Sequence, residues 1–160
     1  MNNVEILLKS LLVKRGISSI YNYQDFHLNL VSDKRPSGQP PNIRIQLRSD
    51  WILNSELWWN DFLQKLPVDT KNMSSPYIPA KAFALFMLID SEIEDVKLQT
   101  DNSLSIYFSK GFRLFIPGTN KLDDESWIMD SNNDDRFFDF GVICDAKGKL
   151  HLSEAIKDGL

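Results

Sequence analysis

Three short apolar runs in the second half of the chain leave little freedom in how it folds. Val96 and Leu98 precede the turn pair Asp101-Asn102, and Leu104, Ile106 and Phe108 then alternate with Ser105 and Tyr107. Lys110-Gly111 makes a second turn pair, after which Phe112, Leu114 and Ile116 alternate as far as Pro117-Gly118. Apolar residues at every second position put one face of a strand in a core, and turns this tight join antiparallel neighbours. The spacing therefore predicts a three-stranded antiparallel meander over 96–116. Trp127 to Met129 reads as a further short strand, and Phe138–Asp145 pairs with Lys149–Leu152 across Ala146-Lys147-Gly148. Ser153 to Lys157 reads as a terminal turn or short helix.

The first half adds helices and a hairpin. Val4, Leu7, Leu8, Leu11 and Leu12 recur at helical spacing, with Glu5, Lys9 and Lys14 off the stripe and Gly16 as the stop. Phe26, Leu28 and Leu30 alternate, and so do Ile43, Ile45 and Leu47 against Arg44, Gln46 and Arg48. The stretch 32–42 between them holds three prolines and a glycine, so the two strands form a hairpin with a long loop. Asn54 or Ser55 caps a helix that runs to Leu66 before Pro67. Pro79 suits the first turn of a third helix, and Ala80–Asp90, apolar nearly all round, belongs in the interior. The expected fold is α+β in a single domain over 1–160: antiparallel sheet, built from the C-terminal meander plus hairpins, with about three helices packed on one side. Trp51-Ile52-Leu53-Asn54-Ser55 also echoes Trp127-Ile128-Met129-Asp130-Ser131.

Composition bounds the environment. A domain of 160 residues buries about 70% of its unfolded surface and needs no covalent staples. Cys144 is the only cysteine, so no intrachain disulfide forms and a cytoplasmic home is favoured. Met1-Asn2-Asn3-Val4-Glu5 lacks the basic start of a signal peptide. The longest apolar run, Ala82 to Ile89, is too short to cross a bilayer. A soluble chain, without membrane attachment, is the expectation.

Charge is concentrated. Asp123, Asp124, Glu125, Asp130, Asp134, Asp135, Asp139 and Asp145 fall within residues 122–145, with Arg136 as the single base. Eight acids and one base give that segment −7, while seventeen bases and fourteen acids elsewhere give +3, so the net charge of −4 is a local property. Such a field attracts basic partners and repels nucleic-acid phosphates. Arg44 and Arg48, with Lys34 and Arg35, make the one basic patch that can be assembled, and it reads as a solvated sheet face.

Catalytic patterns are missing from the sequence: there is no phosphate-binding glycine loop and no nucleophile elbow. Asp130, Asn132 and Asp134 match the first, third and fifth positions of a calcium loop. Asp135 then stands where a glycine is required and Gly141 where a bidentate glutamate is required, so no metal or cofactor is expected. Cys144 and His151 are the one nucleophile–base pair that the last hairpin could bring together. Cys144 beside Val142 and Ile143 reads instead as a buried thiol.

The block Val96–Leu152 resembles small bacterial immunity proteins of contact-dependent inhibition and other polymorphic toxin systems. The resemblance lies in "VKLQTDNSLSIYFSKGFRLFIPG", in the acidic-Ser-Trp element "DDESWIM" and in the closing "GKLHLS". It implies a cytoplasmic, non-enzymatic protein that binds the C-terminal domain of a cognate toxin and blocks it one-to-one. Many such toxins are nucleases and therefore basic, which suits an acidic inhibitor. The expected partner-binding residues are Asp123, Asp124, Glu125, Asp130, Asp134 and Asp135, with Trp127 and Phe137 as apolar anchors. Two other readings stay open from the residues alone. One is a small enzyme using Cys144 or the carboxylates, and the other is an adaptor subunit using the Trp51, Trp58 and Trp59 region.

Overall fold

The leucine stripe at the start of the chain forms α1 (Asn3–Leu12), which buries Leu8, Leu11 and Leu12. In this computed structural model, which describes residues 3–32, 38–66, 77–122, 124–131 and 140–157, the helix ends before Gly16. Lys14 takes the left-handed conformation (φ 67°), and Gly16 opens a strand. That strand, β1 (Gly16–Tyr23), lies outside the sequence expectations. A register shift between Ile17 and Ser19 breaks its period-two pattern, and Gln24 (φ 63°) turns the chain directly into β2 (Asp25–Val31). The expected hairpin of β2 with β3 (Asn42–Leu47) is present, with Leu28 opposite Ile45 and Leu30 opposite Ile43.

After β4 (Ile52–Leu53), Ser55 accepts a hydrogen bond from the Trp58 amide at 3.2 Å and caps α2 (Glu56–Lys65). α3 begins at Tyr77, three residues earlier than Ala80, and ends at Phe86 in turns that reach Asp90. It is not interior on all sides: Ala80, Ala84 and Leu85 are buried, whereas Phe83 and Phe86 are 50% and 56% exposed. β5 (Ile93–Leu98), β6 (Leu104–Phe108) and β7 (Arg113–Ile116) form the expected meander. The chain continues through β8 (Trp127–Asp130), β9 (Gly141–Cys144), β10 (Leu150–Leu152) and the short α4 (Glu154–Lys157).

The α+β class holds, and every strand pairing is antiparallel. The strands divide into two sheets, however: β1-β2-β3-β8-β9-β10 and β4-β7-β6-β5. Within the larger sheet, the joint between its N-terminal and C-terminal strands is the pairing of β3 with β8, which sets Arg44 opposite Asp130 and Leu47 opposite Trp127. The echoed segments therefore land in different sheets, each with a buried tryptophan, Trp51 and Trp127.

Both sheets share one core with α1, α2 and α3. Among its largest fully buried side chains are Trp51, Trp127, Phe108 and Arg15. The Arg15 guanidinium lies inside because its donors are satisfied, by the carbonyls of Leu11, Pro40 (2.8 Å) and Pro41 (2.9 Å). It ties the end of α1 to the return of the long β2–β3 connection. Gly118 is required by contact: a Cβ there would stand 2.0 Å from the Asp101 carbonyl oxygen. Among the described residues no helix is long and apolar enough to cross a membrane.

Candidate functional site

Strand alternation gives the six-stranded sheet two unlike faces. Phe26, Leu28, Leu30, Ile43, Ile45, Leu47, Trp127, Met129, Val142 and Cys144 point into the core. The residues between them form an outer face whose central side chains, Asn29, Arg44, Gln46, Ile128, Asp130 and Ile143, are all half-buried. Register then places opposite charges together. Arg44 donates through Nε to both carboxylate oxygens of Asp130 (3.0 and 3.2 Å) and through Nη2 to Oδ2 at 2.6 Å. Gln46 donates to the same Oδ2 at 3.1 Å, and Tyr21 Oη accepts from Arg44 Nη1 at 3.4 Å. Burial is the largest single influence on the Arg44 pKa and lowers it, but the hydrogen bonds and charges of Asp130 and Tyr21 together outweigh it and the value is raised.

A second cluster lies at the end of β3. Arg48 donates to Asp25 at 3.1 Å and also to Asp124 and Glu125. One guanidinium among three carboxylates leaves the cluster net negative. Asp124 sits below its ordinary pKa, first through its hydrogen bond with the Glu125 side chain, then through the Glu125 amide, with Arg48 adding to both. The Asp124 and Glu125 side chains remain 48% and 34% exposed, so they have acceptor capacity toward solvent. Beside them opens a cleft of about 590 Å³, with Asn22, Asp25, Arg48, Trp51, Lys81 and Leu122 among its lining residues. Lys81 lies over the Trp51 ring, 5.1 Å from its centroid.

The last hairpin contributes a fifth carboxylate. Asp145 accepts from the Lys147 and Lys149 amides and sits 2.9 Å from His151 Nε2. These bonds, His151 first, hold its pKa down at about 2. His27 on β2 is 7% exposed and stacks on Tyr21 with ring centroids 4.6 Å apart. Burial is the main cause that lowers its pKa, and its Nδ1 has no hydrogen-bond partner among the described residues.

These positions revise the sequence expectations residue by residue. Asp124, Glu125 and Asp130 do lie on the outer face or its rim, but each is held by an arginine. Strand β8 also separates them, with Asp124 and Glu125 before it and Asp130 at its end. Trp127 offers no surface to a partner: it is fully buried, and its indole N–H donates to the Asn102 carbonyl at 3.2 Å. Asp123, Asp134, Asp135 and Phe137 lie outside the described residues. Arg44 and Arg48 are not a basic patch, because carboxylates neutralise both. Asp25, which sequence reasoning passed over, completes the Arg48 cluster. Its signal was its place at the head of β2, yet its partner Arg48 lies 23 residues further along the chain, and the other partners of Arg48 lie a further 76 and 77 residues on.

Cys144 and His151 do not meet. Cys144 pairs across the hairpin with Leu150 and faces the core, whereas His151 pairs with Ile143 on the outer face. The Cys144 thiol donates to the Gly118 carbonyl at 3.2 Å, and burial, with Asp145 and Asp101 adding to it, pushes its pKa up to about 12. Such a thiol supplies almost no thiolate at neutral pH. Among the described residues no group of three or more His, Cys, Asp and Glu side chains is arranged to hold a metal ion. Comparison of the chain with known protein families, with curated proteins and with solved structures finds no match.

Proposed function

We propose that this chain is a cytoplasmic immunity protein that neutralises a basic toxin domain, of nuclease type, by covering it one-to-one with the outer face of the six-stranded sheet. The observation that carries the reading is the Arg48 cluster, in which one arginine fixes three carboxylates at an open rim. A carboxylate has about four lone-pair sites, so each can accept a partner's lysine or arginine without releasing Arg48. Fixing the acids before encounter lowers the ordering cost of binding. Net negative charge at the rim speeds the approach of a basic surface, in a manner weakened by salt. The ion pairs serve recognition more than stability, since partly exposed pairs contribute only about 0–1 kcal/mol to folding.

The test is calorimetry and stopped-flow association against the C-terminal domain of the protein encoded immediately upstream, at two salt concentrations. Tight one-to-one binding weakened by salt is expected. Charge reversal in Asp124→Lys/Glu125→Lys is expected to slow association about tenfold at low salt. Asp134→Lys/Asp135→Lys, beyond the other end of β8, reports which acidic end the partner meets. Absence of binding would remove the inhibitory reading, and rates unchanged in both variants would remove the acids from it.

One observation favours a second reading, that of an adaptor subunit. α2 and α3 display Leu57 (82% exposed), Phe83 and Phe86 around a Trp58–Phe62–Phe83 stack. A stable complex lost in Phe83→Ser/Phe86→Ser but kept in the acidic-rim variants would favour it.

A further inference from the structure

Three of the four sheet edges are guarded in ways that stop strands from adding to them. β4 has two residues and β10 has three. β5 carries Glu94, Asp95 and Lys97 and a register irregularity. β1 differs from all of these. It is eight residues long, Gly-Ile-Ser-Ser-Ile-Tyr-Asn-Tyr, without a charge or a proline. Among the described residues only its start is covered at the free edge, where Gly16 bridges Glu92 and the Arg15 carbonyl accepts from the Ile93 amide. Beyond the register shift at Ile17/Ser19, residues Ser19 to Tyr23 pair with β2 alone among the described residues. Tyr23, at the end of this stretch, is 74% exposed.

We propose that this edge pairs with the same edge of a second copy, joining two six-stranded sheets into one antiparallel sheet. The free stretch is self-complementary. A two-fold axis perpendicular to the sheet keeps both outer faces on the same side, so each residue must meet one of its own parity. Centring on Tyr21 uses the whole regular stretch: Tyr21 meets Tyr21, Ile20 meets Asn22, and Ser19 meets Tyr23. Ser19, Tyr21 and Tyr23 share the outer face, opposite Asn29, His27 and Asp25 on β2. The seam therefore gathers four tyrosines, and cross-strand aromatic pairs of this kind stabilise sheets. Charge also favours the second copy. Exposed Lys14 precedes β1, and Asp25, held by Arg48 in the net-negative cluster, follows it, so antiparallel pairing brings the positive end of each copy toward the negative end of the other. A basic partner's strand would find no countercharge along Ser19 to Tyr23. The inference is independent of the inhibitory reading and needs only the chain itself.

Sedimentation equilibrium of the full chain, at concentrations up to about 100 µM to include weak small interfaces, provides the test. The wild type is expected to reach twice the 18.5 kDa chain mass. In Ser19→Lys/Tyr23→Lys each new lysine faces another across the seam, and dimerisation is expected to weaken about tenfold or more. In Ser19→Lys/Tyr23→Glu the same positions carry opposite charges, and the dimer is expected to return. Both substituted positions are exposed in the single chain, and unchanged circular dichroism and melting would confirm an intact fold. A wild type that stays monomeric overturns the proposal, and so does a dimer indifferent to the lysine pair. A monomer whose lysine variant loses the toxin domain would assign the edge to that partner instead.

Discussion

Trp127 illustrates how a single residue's role follows from its surroundings. In sequence it sits among acids and looks like an interface anchor; in the fold its ring is fully buried and its indole N–H is satisfied. Trp127→Ala is therefore expected to lower unfolding free energy by about 3–5 kcal/mol, measured by denaturant titration. An anchor on the surface would cost almost nothing in that measurement. Alternation along Trp127-Ile128-Met129 was legible in the sequence and correctly marks a strand. The side it buries was not, because that depends on pairing with Leu47, eighty residues earlier. The same long reach explains Arg44. Its place opposite Asp130 converts an apparent basic face into a neutralised one, and no local pattern encodes that.

At the level of elements, the meander was the most legible part, since its contacts are local and its turns carry their own residues, Asn102 (φ 59°) and Gly111 (φ 79°). β1 was the least legible, because one extra residue at Ile17/Ser19 moves the apolar side chains out of phase. The docking of the meander on the larger sheet depends on Gly118. Its amide is held by Ser103 Oγ at 2.9 Å and its carbonyl by the Cys144 thiol, with the Asp101 carbonyl oxygen filling the space that a Cβ would take. Gly118→Ala forces those backbones apart and is expected to cost about 3 kcal/mol. In a domain of this size that lowers the melting temperature by roughly 6–12 °C in calorimetry. A melting temperature within a degree of wild type would mean that this contact is looser than described.

For the whole molecule, the class was readable and the division of strands between two sheets was not, because the β3–β8 joint links halves separated by eighty residues. The assembled fold then sets a pH response. His27 has a lowered pKa, so below its ordinary value of 6.5 the unfolded chain takes up a proton that the folded one resists. Stability from this group is complete above 6.5 and declines as pH falls through the folded value. Asp145, held at about 2 against an ordinary 3.8, contributes stability above 3.8 that is lost as pH falls toward 2. Two successive acid-side losses are expected in denaturation midpoints, and His27→Gln is expected to remove the first while leaving the second. Trp51, Trp59 and Trp127 are at most 7% exposed, and Trp58 packs on Phe62 of α2 and on Phe112 just before β7. Every indole thus lies behind or away from the outer face of the larger sheet. Excited by ultraviolet light, the protein emits from its interior: its glow reports whether the core is intact and stays blind to whatever rests on that face.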